Sequence, residues 1–427
     1  MPEYLKSPSN PITEAVSAEI TQTVSDVIRA VRDEGIGAVR RYSEKFDRWS
    51  PPSFRVTDEQ IAQAARETTD ELKEHIVFVQ DQVRRFAELQ RATMSDFEET
   101  TLPGVQLGQK HIPVNAVGSY SPGGKYPLIA SSIMTVVVPK VAGVKRVVAF
   151  APPREANGIY PAQLHTLATS GADEIWAVGG VQALAAAAYG IEGLEPVDMI
   201  VGAGNAYVAE AKRQLFGRVG IDLLAGPTDI LVIADDSADP HVVAADLLGQ
   251  AEHGTNSPAT LVTTSRKLGE AVLREVERWL AGSWPTKEVA GTAWHDLGAV
   301  VLCTDDEEMA QVSDQYAPEH LEVQTRDTEW FLRRLTNYGS LFLGAESTVA
   351  YSDKAIGTNH VLPTGGSARY TGGLWVGKFL KTVTYQRVDH AGGQIVAPHA
   401  AAICDAEMMH GHAITCRIRL DPPRLAA

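Results

Sequence analysis

The sequence predicts an α/β protein with two Rossmann-like, doubly wound parallel-sheet domains, a helical N-terminal segment and a small C-terminal tail domain. From Lys145 onward, short β-rich runs alternate with alanine-rich helical stretches, which is the βαβ pattern of a parallel sheet with helices on its faces. The alternation starts again after Gly226-Pro227, which indicates a second sheet. Residues 372–427 lack this rhythm and are predicted to form the tail.

The predicted strands fall into two consecutive groups. The first group contains the runs 146–151, 174–178 and 198–201. The second group contains the runs 229–235, 259–265, 298–304, 321–325 and 340–344. Ahead of both groups, apolar residues at helical spacing predict a helix over 20–31, stopped by Gly35 and Gly37, and a second helical stretch over 58–94.

Composition excludes several classes of protein. The net charge of −15 disfavours binding to nucleic acid or to an anionic membrane, because the chain's own field repels phosphate. No apolar run reaches the roughly 20 residues that span a bilayer, and the first 20 residues lack the apolar core of a signal peptide. The three cysteines are too scattered for a disulfide scaffold, so we expect a cytoplasmic enzyme.

Three glycine-rich segments are candidates for a nucleotide site, although the G-x-G-x-x-G fingerprint of a Rossmann domain is missing in that context. Residues 179–182 and 202–205 each follow a predicted strand and begin a helix, where backbone amides favour an anion. Residues 119–127 form a third glycine-rich turn, with Tyr120 and Lys125. An ordinary tight turn is the alternative interpretation of each segment.

Two residues on one predicted helix have the spacing of metal ligands. Gln250 and His253 are separated by three positions and therefore lie on one helical face. Asp353 and His360, in a glycine-containing loop, and His410 and His412 near the C-terminus are further candidates. Spacing alone does not show that these segments meet. At each histidine, a purely structural role is the alternative.

Glu319 and His320 form a candidate acid–base pair between a proline and a strand. Adjacent side chains point in different directions, so the two residues are expected to act on different groups in one pocket. The histidine would accept a hydroxyl proton and the glutamate would activate water. A surface Glu-His turn is the alternative.

These segments together resemble the histidinol dehydrogenase family. The matching stretches occur in order and cover nearly the whole chain; they are SYSPGGKYP, VGGVQALAAAAYG, GAGNAYVAEAKRQLFG, AGPTDILVIAD, LLGQAEHG, YAPEHL, GTNHVLPT and HGHAITCRI. The resemblance implies a homodimeric enzyme that uses one Zn2+ per subunit and NAD. It also implies a four-electron oxidation of a primary alcohol to a carboxylate through a bound aldehyde.

The resemblance also implies a role for individual residues. It implies zinc ligands at Gln250, His253, Asp353 and His410, the catalytic pair at Glu319 and His320, and NAD contacts at Tyr120, Gln182 and Asn205. The implied substrate-binding residues are Thr228, Gln250, His253, His320, Asp353, His360, Asp405 and His410. His410 is expected to reach the partner's site on a swapped tail, with a site within one chain as the alternative.

The resemblance implies a domain division. Residues 1–22 are the N-terminal helical arm, and residues 23–116 with 229–371 form the zinc and catalytic domain. Residues 117–228 form the NAD-side domain, and residues 372–427 form the tail.

The substrate region departs from the usual family pattern. GPTD stands at 226–229 in place of G-P-S-E, Asp405 stands in place of a glutamate, and residues 368–386 resemble the sulfopropanediol dehydrogenase branch. That branch oxidises 2,3-dihydroxypropane-1-sulfonate to sulfolactate, so an anionic substrate is expected, with Lys125, Arg369 and Lys378 as candidate sulfonate contacts. Oxidation of histidinol to histidine is the alternative, and a non-catalytic ligand-binding relative is a third interpretation.

Overall fold

The computed structural model describes residues 2–9, 17–123, 126–154, 158–224 and 226–420. Its strands are β1 (Glu3–Lys6), β2 (Phe97–Leu102), β3 (Val105–Pro113), β4 (Ala116–Tyr120), β5 (Arg146–Ala151), β6 (Glu174–Ala177), β7 (Met199–Val201), β8 (Gly220–Ile221), β9 (Ile230–Ala234), β10 (Ala259–Thr263), β11 (Ala299–Leu302), β12 (His320–Gln324), β13 (Ser340–Leu343) and β14 (Leu380–Val388).

The helices cover the faces of the sheets and link consecutive strands. They are α1 (Ala18–Glu34), α2 (Ile36–Asp47), α3 (Asp58–Glu67), α4 (Asp70–Ala92), α5 (Ile129–Ala142), α6 (Pro161–Thr169), α7 (Gly180–Tyr189), α8 (Ala206–Leu215), α9 (Pro240–Ala251), α10 (Arg266–Ala281), α11 (Lys287–Leu297), α12 (Asp306–Tyr316), α13 (Thr328–Arg334), α14 (Val349–Lys354), α15 (His390–Ala406) and α16 (His410–Arg417).

The two predicted parallel sheets are confirmed. The first has the order β6-β5-β4-β7-β8 and is parallel throughout. The second has the order β1-β11-β10-β9-β12-β13 and is parallel except at β1. Their central strands are buried on both faces, which explains why the sequence shows continuous apolar runs there instead of an alternating pattern.

The N-terminal arm differs from the prediction. Residues 1–22 were expected to be helical, but Glu3–Lys6 form β1, which pairs antiparallel with β11 at the open edge of the six-stranded sheet. The predicted stop at Gly35 is confirmed, since this residue has a positive φ of 59° between α1 and α2. Gly37 does not end a helix, because it lies inside α2.

The packing of the N-terminal helices also differs from the predicted domain division. Helices α1 and α2 pack on α7 and α8, while α3 and α4 pack on α6 and α5. Residues 18–92 therefore share their buried core with the five-stranded sheet, whereas the division placed residues 23–116 with 229–371. The physical reason is that these amphipathic helices cover apolar helices that flank the five-stranded sheet.

A third, antiparallel sheet of order β14-β3-β2 was not predicted. It joins the tail to residues 97–113, and α15 with α16 continues from it. Most residues of β2 and β14 are exposed or half-buried, so these strands lack the apolar pattern by which strands are recognised in a sequence.

Candidate active site

The Glu319–His320 pair lies at the amino end of β12, the strand between β9 and β13 of the six-stranded sheet. Strands β9 and β12 are parallel neighbours, with His320 beside Ile230, so residues 228 and 229 lie next to the pair. Helix α9 runs back along β9 and ends at the same edge of the sheet. Its C-terminal end therefore brings Gln250 and His253 towards the pair.

Glu319 is buried in a compact network of hydrogen bonds. Its Oε2 accepts a hydrogen bond from the hydroxyl of Thr228 and a second, of 3.2 Å, from the backbone N–H of Asp229. The Asp229 Oδ1 in turn accepts from the backbone N–H of Glu319 at 2.9 Å. Thr228 also accepts a hydrogen bond of 2.5 Å from the Gln250 amide, so one hydroxyl links a candidate base to a candidate metal ligand.

His320 has a defined orientation. Its Nδ1 lies 2.9 Å from the carbonyl oxygen of Asp229, and a carbonyl can only accept, so Nδ1 carries the proton. Its Nε2 is buried without a hydrogen-bond partner and lies 3.7 Å from Asp353 Oδ1, which is also unpartnered. The nitrogen that can accept a proton therefore faces the interior of the site.

The charges of Glu319 and His320 affect each other's pKa values. Burial raises the pKa of Glu319 to about 8, although the charge of His320 opposes this. Burial alone would lower the pKa of His320, but Glu319 and Asp353 outweigh it and raise that pKa to about 9. Two groups whose pKa values are shifted this far from their usual values in one buried site are typical of acid–base catalysis.

The candidate metal ligands of one chain fit a divalent cation such as zinc. Burial lowers the pKa of His253, and the charge of Asp353 acts on the same ring, so the two side chains are neighbours. The unpartnered, buried Oδ1 of Asp353 would be satisfied by a cation. Among the described residues no group of three His, Cys, Asp or Glu forms a metal cluster, but Gln250 is not of these types. Amide oxygen, imidazole and carboxylate together are donors that zinc accepts.

His360 links the segment that carries Asp353 to the first helix after β4 of the five-stranded sheet. Its Nδ1 lies 2.9 Å from the carbonyl oxygen of Asp353, and its Nε2 lies 2.8 Å from the hydroxyl of Ser131. Ser131 is in the first turn of α5, which follows β4 of the five-stranded sheet. The amino end of one sheet therefore faces the carboxyl end of the other.

The three candidate NAD contacts lie at that carboxyl end. Tyr120 ends β4, and its buried hydroxyl accepts a 3.1 Å hydrogen bond from the N–H of Gly180. Gln182, in the first turn of α7, donates to Asp47 at 3.1 Å and keeps a buried, unpartnered Oε1. Asn205 caps α8 with its side-chain oxygen and is exposed. These positions match the usual ligand edge of an open parallel sheet.

Asp405 and His410 do not join the site within this chain. His410 lies at the start of α16 with 72% of its side chain exposed, and its Nδ1 is 3.6 Å from Asp405. Asp405 also pairs with Arg417. Both residues are thus on the tail and available to a neighbouring molecule.

Of the three predicted sulfonate contacts, the structure describes Arg369 and Lys378, and neither has a contact with the candidate site residues. Lys125 lies outside the described residues. The Arg369 guanidinium donates to the carbonyl of Gln315 at 2.5 Å, and Lys378 lies in a helical turn that packs on α4 and α5. The cation beside the site is Lys354, whose Nζ lies 3.5 Å from Asp353 Oδ2. Sequence reasoning missed it, although its position next to Asp353 was an available signal.

In the described part of the chain, no helix has the length and apolar character needed to cross a membrane.

Comparison with known proteins places these features in one family. A family model described as histidinol dehydrogenase matches residues 12–420. A protein of Shouchella clausii named histidinol dehydrogenase homolog is 52% identical over 403 residues, covering 94% of each chain. A protein of Ruegeria pomeroyi named sulfopropanediol 3-dehydrogenase is 49% identical over 419 residues, covering 98% of this chain and 96% of that one.

A solved structure agrees with the sequence matches. The crystal structure of histidinol dehydrogenase from Elizabethkingia anophelis superimposes with a TM-score of 0.90 at 34% identity, covering 96% of this chain and 94% of that one. The resemblance seen in the sequence is therefore confirmed. The chain belongs to the histidinol dehydrogenase family, whose members are NAD-dependent oxidoreductases that act on alcohols.

Proposed function

We propose that this enzyme oxidises an anionic primary alcohol to a carboxylate in two NAD-dependent steps, with zinc held by Gln250, His253, Asp353 and, from a second copy of the chain, His410. The observation that carries the proposal is the buried His320 Nε2, unpartnered and 3.7 Å from the equally unpartnered Asp353 Oδ1. A bound zinc ion would orient and polarise the alcohol oxygen.

His320 is the proposed base of both oxidation steps. Because the carbonyl of Asp229 fixes the proton on Nδ1, Nε2 is free to accept the hydroxyl proton, while bound NAD would supply the hydride acceptor. Once that proton has passed to water, the same nitrogen can accept a proton from the hydrated aldehyde for the second oxidation.

Glu319 is the proposed base that activates water between these steps. Its Oε2 is fixed by Thr228 and Asp229, which leaves Oε1 as the atom that can approach a water molecule. Thr228 and His360 are proposed substrate-side residues, because each is hydrogen-bonded to a catalytic or ligand residue. Burial of the pair would keep the aldehyde away from bulk water.

Tyr120, Gln182 and Asn205 are the proposed NAD contacts. The free Oε1 of Gln182 can accept a hydrogen bond from a ligand, and the Asn205 side-chain amide retains its donors after capping α8. All three residues lie at the edge of the five-stranded sheet that faces His360 and the catalytic pair.

The proposed homodimer explains the tail. Within this chain α16 packs on α15, and large apolar side chains on the two helices and their connection are exposed, including Met408 at 80%. An apolar patch of this kind marks an interface. Exchange of the tail between two chains would cover it and bring His410 and Asp405 to the partner's site.

For the substrate, we propose 2,3-dihydroxypropane-1-sulfonate. The named relative at 49% identity supports this choice, and Lys354 supplies a partly exposed ammonium group beside Asp353. A sulfonate accepts charge-assisted hydrogen bonds from such a group. The alternative, histidinol, is a cation at the amine and would be repelled by Lys354.

NADH formation by the purified, zinc-loaded enzyme tests the proposal. We expect turnover with the sulfonate, two NADH per alcohol, and no turnover with histidinol. Lys354→Gln should raise KM for the sulfonate, while Lys378→Gln serves as a control at a position outside the site. Turnover with histidinol alone would refute the substrate assignment. Loss of zinc in His320→Ala would refute its role as base.

A further inference from the structure

A second pair of buried carboxyl groups lies behind the proposed active site, and nothing in the reaction uses it. Asp246 on α9 and Glu322 on β12 meet at one donor, because the Gln324 amide nitrogen lies 2.9 Å from Asp246 Oδ2 and 3.2 Å from Glu322 Oε2. Glu322 is fully buried, and Gln324 on the same strand is nearly so. Two contacting carboxylates in such a place repel each other, so the pair retains one proton.

Hydrogen bonds and burial describe the two carboxyl groups. Asp246 accepts from the Gln324 amide at 2.9 Å and from the Thr348 hydroxyl at 3.2 Å, so donors face both of its oxygens. Glu322 accepts from the N–H of Val349 at 3.3 Å through Oε1 and from the same Gln324 amide at 3.2 Å through Oε2. Glu322 is fully buried and Asp246 is half-buried, so burial penalises the ionised form of Glu322 more, raises its pKa well above the usual value and leaves the proton on Glu322.

The pair ties together the three elements that carry the proposed site. Asp246 precedes Gln250 by four residues, hence by about one turn of α9. Glu322 follows His320 by two residues, so both side chains point to the same face of β12. Val349, whose N–H binds Glu322, precedes Asp353 by about one turn of α14.

We propose that Asp246 and Glu322 are positioning residues, which share one proton and hold α9, β12 and α14 so that Gln250, His320 and Asp353 converge. The inference rests on the proposed metal and acid–base site, but not on the identity of the substrate. Groups that orient metal ligands from behind commonly change metal affinity when they are altered.

Zinc affinity, measured on the purified protein by competition with a chromophoric chelator, tests this role. Glu322→Gln keeps a donor towards Asp246 and an acceptor for Val349 and loses only the 3.2 Å hydrogen bond from Gln324, so its zinc dissociation constant should change less than that of Asp246→Asn. Asp246→Asn places an amide NH2 opposite either the Gln324 or the Thr348 donor, because these donors face different oxygens of Asp246. It should weaken zinc binding about 10- to 100-fold.

Thr348→Val removes one donor to Asp246 and should give a smaller loss in the same direction, which keeps the test usable if Asp246→Asn does not fold. Leu247→Ala is the control. Loss of this buried apolar side chain on α9 should lower the unfolding temperature while leaving Asp246 and Glu322 unchanged. Equal zinc affinity in wild type, Asp246→Asn and Thr348→Val would overturn the inference. So would an equal loss in Leu247→Ala. Wild-type protein that binds no zinc would instead refute the metal site itself, and the inference with it.

Discussion

Replacing Thr228 with valine removes the hydroxyl that donates to Glu319 while nearly preserving the shape of the side chain. A hydrogen bond to a charged group contributes about 1.5–3 kcal/mol. That bond favours the ionised carboxylate, so its loss raises the pKa of Glu319 further above about 8. At about 1.4 kcal/mol per pH unit, the acid limb of the Glu319-dependent step should move up by about one to two pH units.

The pH profile of aldehyde oxidation, measured with the aldehyde supplied directly, reads out this step. Near pH 7 the rate should fall about 10- to 100-fold, because Glu319 acts only when ionised. Thr228→Ser retains the hydroxyl and should retain the wild-type profile. Zinc content is measured in parallel, since Thr228 also binds Gln250. A wild-type profile in the valine variant, at equal zinc content, would refute the role given to Glu319.

Three further results are expected. A Cβ on Gly202 would lie 2.0 Å from the carbonyl oxygen of Tyr120, so Gly202→Ala should raise KM for NAD about tenfold or more, whereas Gly217→Ala, also at positive φ but with open space, should not. Burial raises the pKa of Asp47 to about 6, so the stability of the wild-type protein falls as pH rises through 6. Asp47→Asn should therefore raise the unfolding temperature at pH 8 but not at pH 4. Equal shifts of the unfolding temperature at both pH values would contradict this explanation. A mixture of His410→Ala and His320→Ala proteins should recover about a quarter of wild-type activity if tails cross in a dimer, and no recovery despite heterodimers would indicate sites within one chain.

The regular parts of the fold could be predicted because burial leaves a clear pattern in the sequence. Strand β5 occupies the predicted residues 146–151, since every residue after Arg146 is apolar and buried. The third sheet could not be predicted in this way. Its strands pair through backbone hydrogen bonds while their side chains stay largely exposed, so no apolar alternation marks them.

The site was predictable in its residue types but not in its contacts. Spacing placed Gln250 and His253 on one helical face, and resemblance supplied Asp353. Neither showed that the Asp229 backbone orients both proposed catalytic side chains, Glu319 through its N–H and His320 through its carbonyl. These contacts join residues about 90 positions apart through strand pairing, which depends on sheet order and not on local spacing.

Sheet order also explains why the proposed catalytic pair lies on an unusual edge. Ligands of open parallel sheets normally bind at the carboxyl ends of strands, and Tyr120, Gln182 and Asn205 follow that rule on the five-stranded sheet. Glu319 and His320 lie at the amino end of β12 instead. The C-terminal end of α9 lies at the same edge, because α9 runs antiparallel to β9. The hydrogen bond between His360 and Ser131 joins these two edges. A hydride acceptor on one sheet and a proton acceptor on the other would then meet across one crevice, and neither sheet could hold the complete reaction alone.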